Sequence, residues 1–519
     1  MRAHRSTLIL SLNAVAAALL LAGCGASSDG SDGRGASAVK TDLSGAPGAL
    51  IVEPPPRITL LAAAAFNQSL GASPTGQALR TLAGTPVCDI ALHKFEYSTV
   101  SGTGQPTKAS GALMIPVATS NPATQAAQCA GPRPMVLYAH GTTAERFYNI
   151  ANIAESSNGG NAESSVLAAF FAAQGFIVVA PNYAGYDSSD LNYHPYLNHN
   201  QQSKDMVDSL IAGRKALASL AQYQTVDSGK LMVTGFSQGG SVAMATQREM
   251  QSRNLAYTAG APMSGAYAIK GFVDRIFQGG PEPLTPLQTP IPLGGPILGT
   301  MLVNSYQRSY GGLYSSASEV FSAKFANGIE SLIPTATGTT SGLLDNVRLP
   351  AVAVFAPDVT KGEDLIAAGT FQQAGVRIYD ADNHLISTAF RDAYNSGSAS
   401  TESFRQRLSE NDLRVAQFVP NRPTMLCAGR NDPTVFTAFN HDAMVNFYSG
   451  LPLPAGLITP LDVDPPALDP TNPFVQLQGG FKQQVAAGAI TTLNYHSNVL
   501  PFCAAAARGF YQSVLAQPN

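Results

Sequence analysis

A G-x-S-x-G pentapeptide at residues 235–239 lies between a short apolar run at 231–234 and a segment with a helical pattern. We predict that this helix begins at about Ser241 and ends near Met250. In such a strand–turn–helix unit, the serine takes a strained backbone conformation that pushes its hydroxyl out of the fold. Gly235 and Gly239 are needed because a Cβ at either position would collide with neighbouring backbone. Ser237 is therefore the candidate nucleophile.

Apolar runs alternate with helical patterns ahead of the pentapeptide. In chain order the predicted elements are a strand at 135–139, a helix at 166–173, a strand at 176–180 and a helix at 205–220. Continuous apolar runs are typical of strands buried on both faces of a parallel sheet. This rhythm predicts an α/β fold, a doubly wound sheet with helices on both faces. Residues 89–100 and 109–117 alternate enough to be antiparallel strands before it, and a helix is predicted near 60–70.

The rhythm breaks from about residue 271 to 419, where Pro and Gly cluster at 279–299. Helix-like stretches follow at 317–326, 362–373 and 401–410. The α/β pattern resumes with a strand at 423–427, a helix at 438–448, a Pro-rich loop at 451–472, a strand at 490–495 and a helix from about Pro501. We therefore predict a core in two parts, 51–270 and 420–519, with a large cap inserted at 271–419.

A serine nucleophile in this architecture implies an acid and a base, in the chain order Ser, Asp, His. The acid is expected just past the next-to-last strand, where residues 429–435 read Gly-Arg-Asn-Asp-Pro-Thr-Val. Asn-Asp-Pro is also a common turn sequence, but its position after this strand favours Asp432 as the acid. Asp462, Asp464 and Asp469, in the later loop, are weaker candidates.

The base is expected after the last strand, and residues 490–495 lead directly into His496. The other seven histidines fit worse because they lie in the exported signal, in an early strand, in a different motif or before the last strand: His4, His93, His140, His194, His199, His384 and His441. We therefore predict the catalytic residues Ser237, Asp432 and His496, with His496 as the general base.

The strand at 135–139 ends in His140-Gly141-Thr142-Thr143. A His-Gly pair here is where such enzymes place the first donor to the developing oxyanion, which predicts the backbone N–H of Thr142, or that of Thr143, as this donor. The second donor would be the N–H of Gln238, which also starts a helix and gains from its dipole. His140 itself is expected to be a structural hydrogen-bonding residue.

The N-terminus has the pattern of an export signal at 1–23: two arginines, an apolar run at 8–21 and then small residues. Its end, Leu-Ala-Gly-Cys, resembles the lipobox of bacterial lipoproteins, in which Cys24 is lipidated and becomes the mature N-terminus. An ordinary signal peptide with an incidental cysteine is the alternative. Residues 24–50, rich in Gly, Ser and Asp, would be a flexible tether. We predict an exported, membrane-anchored lipoprotein that meets the membrane only through its lipidated N-terminus.

Four cysteines remain after Cys24, an even number that fits disulfides in an oxidising compartment. Three pairings are possible. We favour Cys88–Cys129, which flanks the early strands, and Cys427–Cys503, which would tie the strand before Asp432 to the helix after His496. Free buried thiols are the alternative.

With these motifs in place, the chain resembles an α/β-hydrolase serine esterase of the bacterial lipoprotein type. Its insertion is similar to that of the secretory lipases typified by Candida antarctica lipase A. Residues 181–187, Pro-Asn-Tyr-Ala-Gly-Tyr-Asp, resemble a loop that often reads D-Y-x-G in that group, and Asn182 stands where Asp is usual. The resemblance covers about 88–271 and 423–511, and it implies the fold and the triad but not the substrate.

Together these features predict a carboxylic ester hydrolase that acts on small-molecule or lipid esters. The insertion is apolar at 283–287 and 291–302 and is expected to cross above Ser237, so that uncharged short-to-medium acyl or aromatic esters should be preferred; packing of these residues into a core is the alternative. The alternatives are a peptidase or acyltransferase with the same triad, and a non-catalytic surface protein with a hydrolase fold. A net charge of −3 gives no reason to expect a nucleic-acid partner. Motifs such as H-E-x-x-H and G-x-x-x-x-G-K do not occur, so no cofactor or metal is implied. The sequence leaves the oligomeric state open.

Overall fold

The computed structural model describes residues 45–279, 293–345, 348–358 and 382–517. Within these ranges nine strands form one sheet, in the order β1-β2-β3-β5-β4-β6-β7-β8-β9. The strands are β1 (Arg57–Leu61), β2 (Asp89–Val100), β3 (Pro106–Val117), β4 (Gly131–Ala139), β5 (Ile177–Pro181), β6 (Thr225–Phe236), β7 (Ala259–Met263), β8 (Thr424–Ala428) and β9 (Ile458–Asp462).

The helices of the described residues are numbered here in chain order. They are α1 (Ala63–Gly71), α2 (Pro74–Ala83), α3 (Pro122–Cys129), α4 (Asn161–Phe170), α5 (His199–Ala218), α6 (Gln238–Ser252), α7 (Ile269–Gln278), α8 (Gly295–Tyr310), α9 (Thr340–Asp345), α10 (Thr388–Asn395), α11 (Glu402–Glu410), α12 (His441–Ser449), α13 (Val475–Ala486) and α14 (Tyr495–Ala516).

The sheet is antiparallel at one edge and parallel elsewhere. β1, β2, β3 and β5 pair antiparallel in turn, whereas β5, β4, β6, β7, β8 and β9 are parallel neighbours. α5 and α6 pack against each other, and α4 packs against α14. Right-handed crossovers place α4 on the face of the sheet opposite to α5 and α6. The doubly wound α/β fold is therefore as predicted. The carboxyl ends of the parallel strands share one edge, where ligands of such sheets bind.

The last strand is not where the sequence predicted it. β9 lies at Ile458–Asp462, inside the segment interpreted as a Pro-rich loop, and it pairs with β8 through Leu426 and Pro460. A proline is tolerated there because β9 is an edge strand. Residues 490–494 form a turn, in which the Asn494 side chain accepts from the Thr491 N–H at 2.7 Å. The helix after it starts at Tyr495 and contains Pro501, so it begins six residues earlier than predicted.

Other helix boundaries also differ from the predicted ones. α5 starts at His199 rather than at residue 205, because its polar first turn shows no apolar periodicity. Asn198 caps the helix by accepting from the Gln201 N–H at 3.1 Å. α6 starts at Gln238, directly after Ser237, rather than near Ser241. Residues 317–326 form only one 3-10 turn, at Ala317–Glu319, and not the predicted helix. The predicted helix at 362–373 lies outside the described residues.

Most of the buried apolar side chains in the described parts of the segment between β7 and β8 form a second cluster with Ala144, Tyr196 and Leu197, separate from the sheet core. The cluster docks on the loop after β4, where Thr335 and Ala144 share a backbone hydrogen bond of 2.7 Å. Thr340 adds a bond from its N–H to the Glu145 carboxylate at 3.0 Å. The inserted segment is therefore held next to the carboxyl ends of the strands.

The structure contains the disulfides Cys88–Cys129 and Cys427–Cys503, the pairing favoured by the sequence. The predicted signal peptide at 1–23, the lipidation site Cys24 and most of the predicted tether lie outside the described residues. Residues 45–50, which the prediction placed in the tether, run beside β2, where Gly48 donates to Ser98 at 2.8 Å. In the described ranges, no helix combines the length and the hydropathy that crossing a membrane requires.

Candidate active site

Ser237 lies in the sharp turn between β6 and α6, at the carboxyl end of the sheet. Its backbone has φ 59° and ψ −122°, a left-handed conformation that strains a residue with a side chain. The turn is held by the Ser237 N–H, which donates to the Met263 carbonyl at 3.0 Å. A Cβ on Gly235 would lie 2.3 Å from the Gly239 carbonyl oxygen, and one on Gly239 would lie 1.9 Å from the Ala139 oxygen. Only glycine fits at both positions, as the sequence indicated.

The structure brings Ser237, His496 and Asp432 together from three distant parts of the chain. The His496 Nε2 atom lies 2.8 Å from the Ser237 Oγ atom, and its Nδ1 atom lies 2.6 Å from Asp432 Oδ2. Ser237 is 9% exposed and Asp432 is fully buried. His496 is in the first turn of α14 rather than directly after a strand. The geometry allows the imidazole to take the hydroxyl proton while the carboxylate holds its Nδ1–H.

Asp432 is fixed by its own loop. Its Oδ1 atom accepts from the Thr434 N–H at 2.9 Å and the Val435 N–H at 3.0 Å, which leaves Oδ2 for the imidazole. These two backbone donors set the direction of the carboxylate.

The loop that carries Asp432 is also tied to the helix that carries His496. The Asn431 N–H donates to the Tyr495 hydroxyl at 3.2 Å, and that hydroxyl donates to Asp464 at 2.9 Å. The disulfide Cys427–Cys503 joins β8 to the same helix. A covalent link and a hydrogen-bond chain thus hold the acid and the base at a constant separation.

The weaker acid candidates serve other partners. Asp462 accepts from the Arg430 and Asp464 N–H groups, Asp464 accepts from Asn431 and Tyr495, and Asp469 accepts from Thr471. None of the three bonds to His496, both of whose ring nitrogens are already paired.

The two predicted oxyanion donors lie beside Ser237. A Cβ on Gly141 would be 3.8 Å from the Ser237 Cβ, which puts the loop of Thr142 next to the nucleophile. Gln238 is the first residue of α6, so its N–H is one of those that a helix leaves without an internal acceptor. Among the described residues, no hydrogen bond uses the backbone N–H of Thr142 or Gln238.

Glu163, on α4, is a polar residue of the site that sequence reasoning missed. Its Oε1 atom accepts from the Gly141 N–H at 3.0 Å and from the Tyr138 hydroxyl at 2.5 Å, and its Oε2 atom accepts from the Tyr148 hydroxyl at 3.1 Å. Desolvation by burial raises the pKa of this carboxyl. The side chain also borders the larger of the two cavities next to Ser237, which are described below. Glu163 therefore fixes the residue that precedes Thr142.

His194 is a second residue of the site that sequence reasoning missed. It contacts the side chain of Gln238, whose backbone N–H is the other predicted donor. The Gln238 Nε2 atom donates to His194 Nε2 at 2.6 Å, while His194 Nδ1 donates to the Ala184 carbonyl at 2.9 Å. Burial lowers the pKa of His194 to about 3, so the ring is neutral and can accept at Nε2. The sequence carries no signal for this contact, since His194 and Gln238 are 44 residues apart.

His140 is a buried structural residue. Its ring nitrogens lie 2.7 Å from the Gly141 oxygen and 3.1 Å from the Asn182 oxygen, and it is stacked between Tyr148 and Tyr183. Burial lowers its pKa to about 4. Asn182 itself donates to Ser110 at 2.9 Å and accepts from the Ile150 N–H at 2.8 Å, so the amide links β3 to the loop that contains Ile150.

Two cavities border Ser237. The larger, of about 260 Å³, is bordered by Gly141, Thr142, Glu163 and His496 and by apolar side chains of α1, α2, α4, α8 and α14. The smaller, of about 90 Å³, is lined almost wholly by apolar side chains of α7, α8 and their surroundings. Among the described residues, the lining of neither cavity contains Lys or Arg. Glu163, in the larger cavity, is the only carboxylate in the two linings. In the described ranges, no group of His, Cys, Asp and Glu could hold a metal ion.

Comparison with known proteins gives the following likenesses. The model of the prolyl oligopeptidase family (Peptidase_S9) matches residues 163–277, which include Ser237. A sequence comparison with curated proteins finds no match. A point mutant of LipA, the rice cell wall degrading esterase from Xanthomonas oryzae, is 26% identical, with 80% of this chain and 91% of that chain covered and a TM-score of 0.61.

A ligand-bound form of LipA is 24% identical, with 90% of this chain and 98% of that chain covered and a TM-score of 0.63. Candida antarctica lipase A is 12% identical, with 86% of this chain and 84% of that chain covered and a TM-score of 0.49. The sheet order and the likenesses to LipA agree with each other. The chain has the α/β-hydrolase fold, and the partial family match together with the likeness to LipA supports a serine hydrolase of that fold.

Proposed function

We propose that the protein is a serine carboxylic ester hydrolase with Ser237 as nucleophile. The observation that carries this proposal is the hydrogen-bonded series from Asp432 through His496 to Ser237, with distances of 2.6 and 2.8 Å. The strained turn at Ser237 and the two N–H groups beside it support the same reaction.

In acylation, Ser237 Oγ forms a bond to the ester carbonyl carbon while His496 Nε2 takes the hydroxyl proton. The N–H groups of Thr142 and Gln238 donate to the carbonyl oxygen as it becomes negative, and each such donor contributes about 3 kcal/mol to transition-state stabilisation. The bond to the alcohol oxygen then breaks, and His496 gives that oxygen the proton. In deacylation, water attacks the acyl carbon while His496 Nε2 takes a proton from it. The bond from that carbon to Ser237 Oγ then breaks, Oγ regains the proton, and the carboxylic acid leaves.

The charge of the cavities indicates the substrate class. A site without Lys or Arg in its described lining offers nothing to pair with an anionic substrate, while its apolar side chains favour uncharged groups. As predicted for the insertion, α8 contributes apolar side chains to both cavities, and residues 283–287 lie outside the described residues. We infer that the substrates are uncharged short-to-medium acyl or aromatic esters.

A peptidase with the same triad is the second candidate, since the partial match to the prolyl oligopeptidase family favours it. Turnover of p-nitrophenyl butyrate should be compared with turnover of peptide p-nitroanilides, each with and without a serine-directed phosphonate. Alcohol acceptors added to the assay would reveal acyl transfer. Ester hydrolysis that the phosphonate and Ser237→Ala both abolish is the expected result, and phosphonate-sensitive cleavage of the anilides alone would favour the peptidase.

The substrate class has its own test. p-Nitrophenyl butyrate should be hydrolysed faster than p-nitrophenyl hemisuccinate. The two acyl groups are of similar size, but the hemisuccinate carries a carboxylate where the butyrate has its terminal methyl group. A preference for the anionic ester, or for acetate alone, would mean that the apolar side chains of the insertion pack inward and do not line the site.

The cellular location is proposed from the N-terminal segment. The two disulfides fit a protein of an oxidising compartment. We propose export and a lipid anchor on Cys24, so that the catalytic domain is held at a membrane by its N-terminus only.

A further inference from the structure

Ser237 borders both cavities, but His496 borders only the larger one. The smaller cavity reaches Ser237 beside Gln238, and its other walls are apolar side chains such as Phe272 and Leu302. Thr434 and Leu298 border both cavities and stand between them. The nucleophile thus lies at a junction of two spaces that differ in whether the general base faces them.

The chemistry of ester cleavage distinguishes these two spaces. In the tetrahedral intermediate, the carbon carries Ser237 Oγ, the oxyanion, the alcohol oxygen and the acyl chain, and these four bonds diverge. The alcohol oxygen must receive its proton from His496 Nε2 when its bond to carbon breaks. The alcohol therefore leaves through the space that the imidazole borders, and the acyl chain points into the other space.

We propose that the smaller cavity binds the acyl chain and the larger cavity binds the alcohol, so that the enzyme selects short acyl groups on bulky alcohols. This assignment rests on the ester hydrolase function proposed above. A volume of about 90 Å³ is smaller than the ~150 Å³ of an apolar cavity that admits benzene, and this suits the three-carbon tail of a butyryl group. The larger cavity, about 260 Å³, has room for an octyl or aryl group.

The walls of the acyl cavity come mainly from the inserted segment and the helix that leads into it. Leu302 on α8 and Val273 on α7 are both buried, at 7% and 6% exposure. The start of α8 is anchored to the acid loop, because the Leu293 N–H donates to the Pro433 carbonyl at 2.9 Å. Since this anchor holds α8 beside Ser237, the depth of the acyl cavity depends on side-chain size at 302 and 273.

Two isomeric esters test the direction of binding. Octyl butyrate and butyl octanoate have the same atoms and nearly the same hydrophobicity, and they differ only in which side of the ester bond is long. The purified full chain should hydrolyse octyl butyrate with a kcat/KM at least ~10-fold higher, because one misplaced methylene in an apolar pocket already costs ~10-fold or more. Equal rates, or a preference for butyl octanoate, would overturn the assignment and leave the esterase function intact.

Variants locate the selection in the smaller cavity. Leu302→Ala should raise the butyl octanoate to octyl butyrate ratio by ~10-fold, and Val273→Ala should shift it the same way. Leu313→Ala is the matched control, since Leu313 is buried in the same apolar cluster but borders neither cavity. If both cavity variants fold and leave the ratio unchanged, the acyl chain does not bind there. If wild-type protein hydrolyses neither isomer nor p-nitrophenyl butyrate, the proposed function fails, and this assignment fails with it.

Discussion

Asp432→Asn tests the triad without changing the shape of the site. In the structure, Asp432 Oδ1 accepts from two backbone N–H groups, of Thr434 and Val435, and Oδ2 accepts from His496. An asparagine has only one oxygen. That oxygen must face the two backbone donors, because an NH₂ group there would leave both without an acceptor.

The amide NH₂ of the variant then faces the imidazole and donates to His496 Nδ1. The ring must carry its proton on Nε2, so it cannot take the proton of Ser237. A wrong tautomer of this kind costs about 10⁴ in kcat, which corresponds to about 5 kcal/mol of transition-state stabilisation. Because the variant is isosteric, KM for p-nitrophenyl butyrate and the melting temperature should change little.

The matched control is Asp464→Asn, the same change in a buried carboxylate nearby that accepts from Tyr495 and Asn431 but not from His496. We expect the control to lose less than about 10-fold in kcat. Initial rates across a range of butyrate ester concentrations, with circular dichroism melts of both variants, give the comparison. Retention of more than a tenth of kcat by Asp432→Asn, or an equal loss in the control, would refute the assignment of the acid.

Single alanine substitutions of the triad should each lower kcat by several orders of magnitude, least for the acid, and the triple variant should be no worse than the serine variant because the residues act as one unit; losses that multiply would contradict this. Glu163→Ala should lower kcat by about 10²-fold with little change in KM, as it releases Gly141, whereas Glu163→Gln keeps an acceptor and should stay within about 10-fold of wild type. Equal losses in the two variants would mean that Glu163 does not position the loop through this bond. Mass spectrometry of the unreduced mature protein should find both disulfides and a lipid-modified Cys24 at the N-terminus, and four free thiols or a different first residue in the native host would argue against the corresponding part.

The error over the last strand shows how context overrides a local pattern. The residues at 490–494 include β-branched side chains, which favour a strand, but they form a turn before α14, in which the Asn494 side chain accepts from the Thr491 N–H. The true edge strand, β9, contains Pro460 and lies in a Pro-rich stretch that reads as loop. A proline is accepted at a sheet edge, where one side of the strand has no hydrogen-bonding neighbour, and a sequence alone does not say which strand is at the edge.

The inserted segment was the least predictable part. Its elements are short, and one stretch that reads as a helix, 317–326, forms only a 3-10 turn whose following residues are buried in the second apolar cluster. Phe321 in that stretch forms a bridge with Ile386, 65 positions later, so its backbone is set by a distant partner. Helical periodicity cannot report such a contact.

The sequence by itself determined the turn at Ser237, the α/β alternation and the order of Ser237, Asp432 and His496, because each depends on neighbouring residues: glycines where a Cβ would collide, apolar runs where both faces are buried, an acid directly after a strand. The tertiary structure decided that His496 reaches Ser237, 259 positions away, that Glu163 holds the loop of Thr142, and that two cavities of unequal size border the nucleophile. These depend on strand pairing and on where α8 of the inserted segment docks. Distances between residues far apart in the chain are set by packing, and packing is a property of the whole fold.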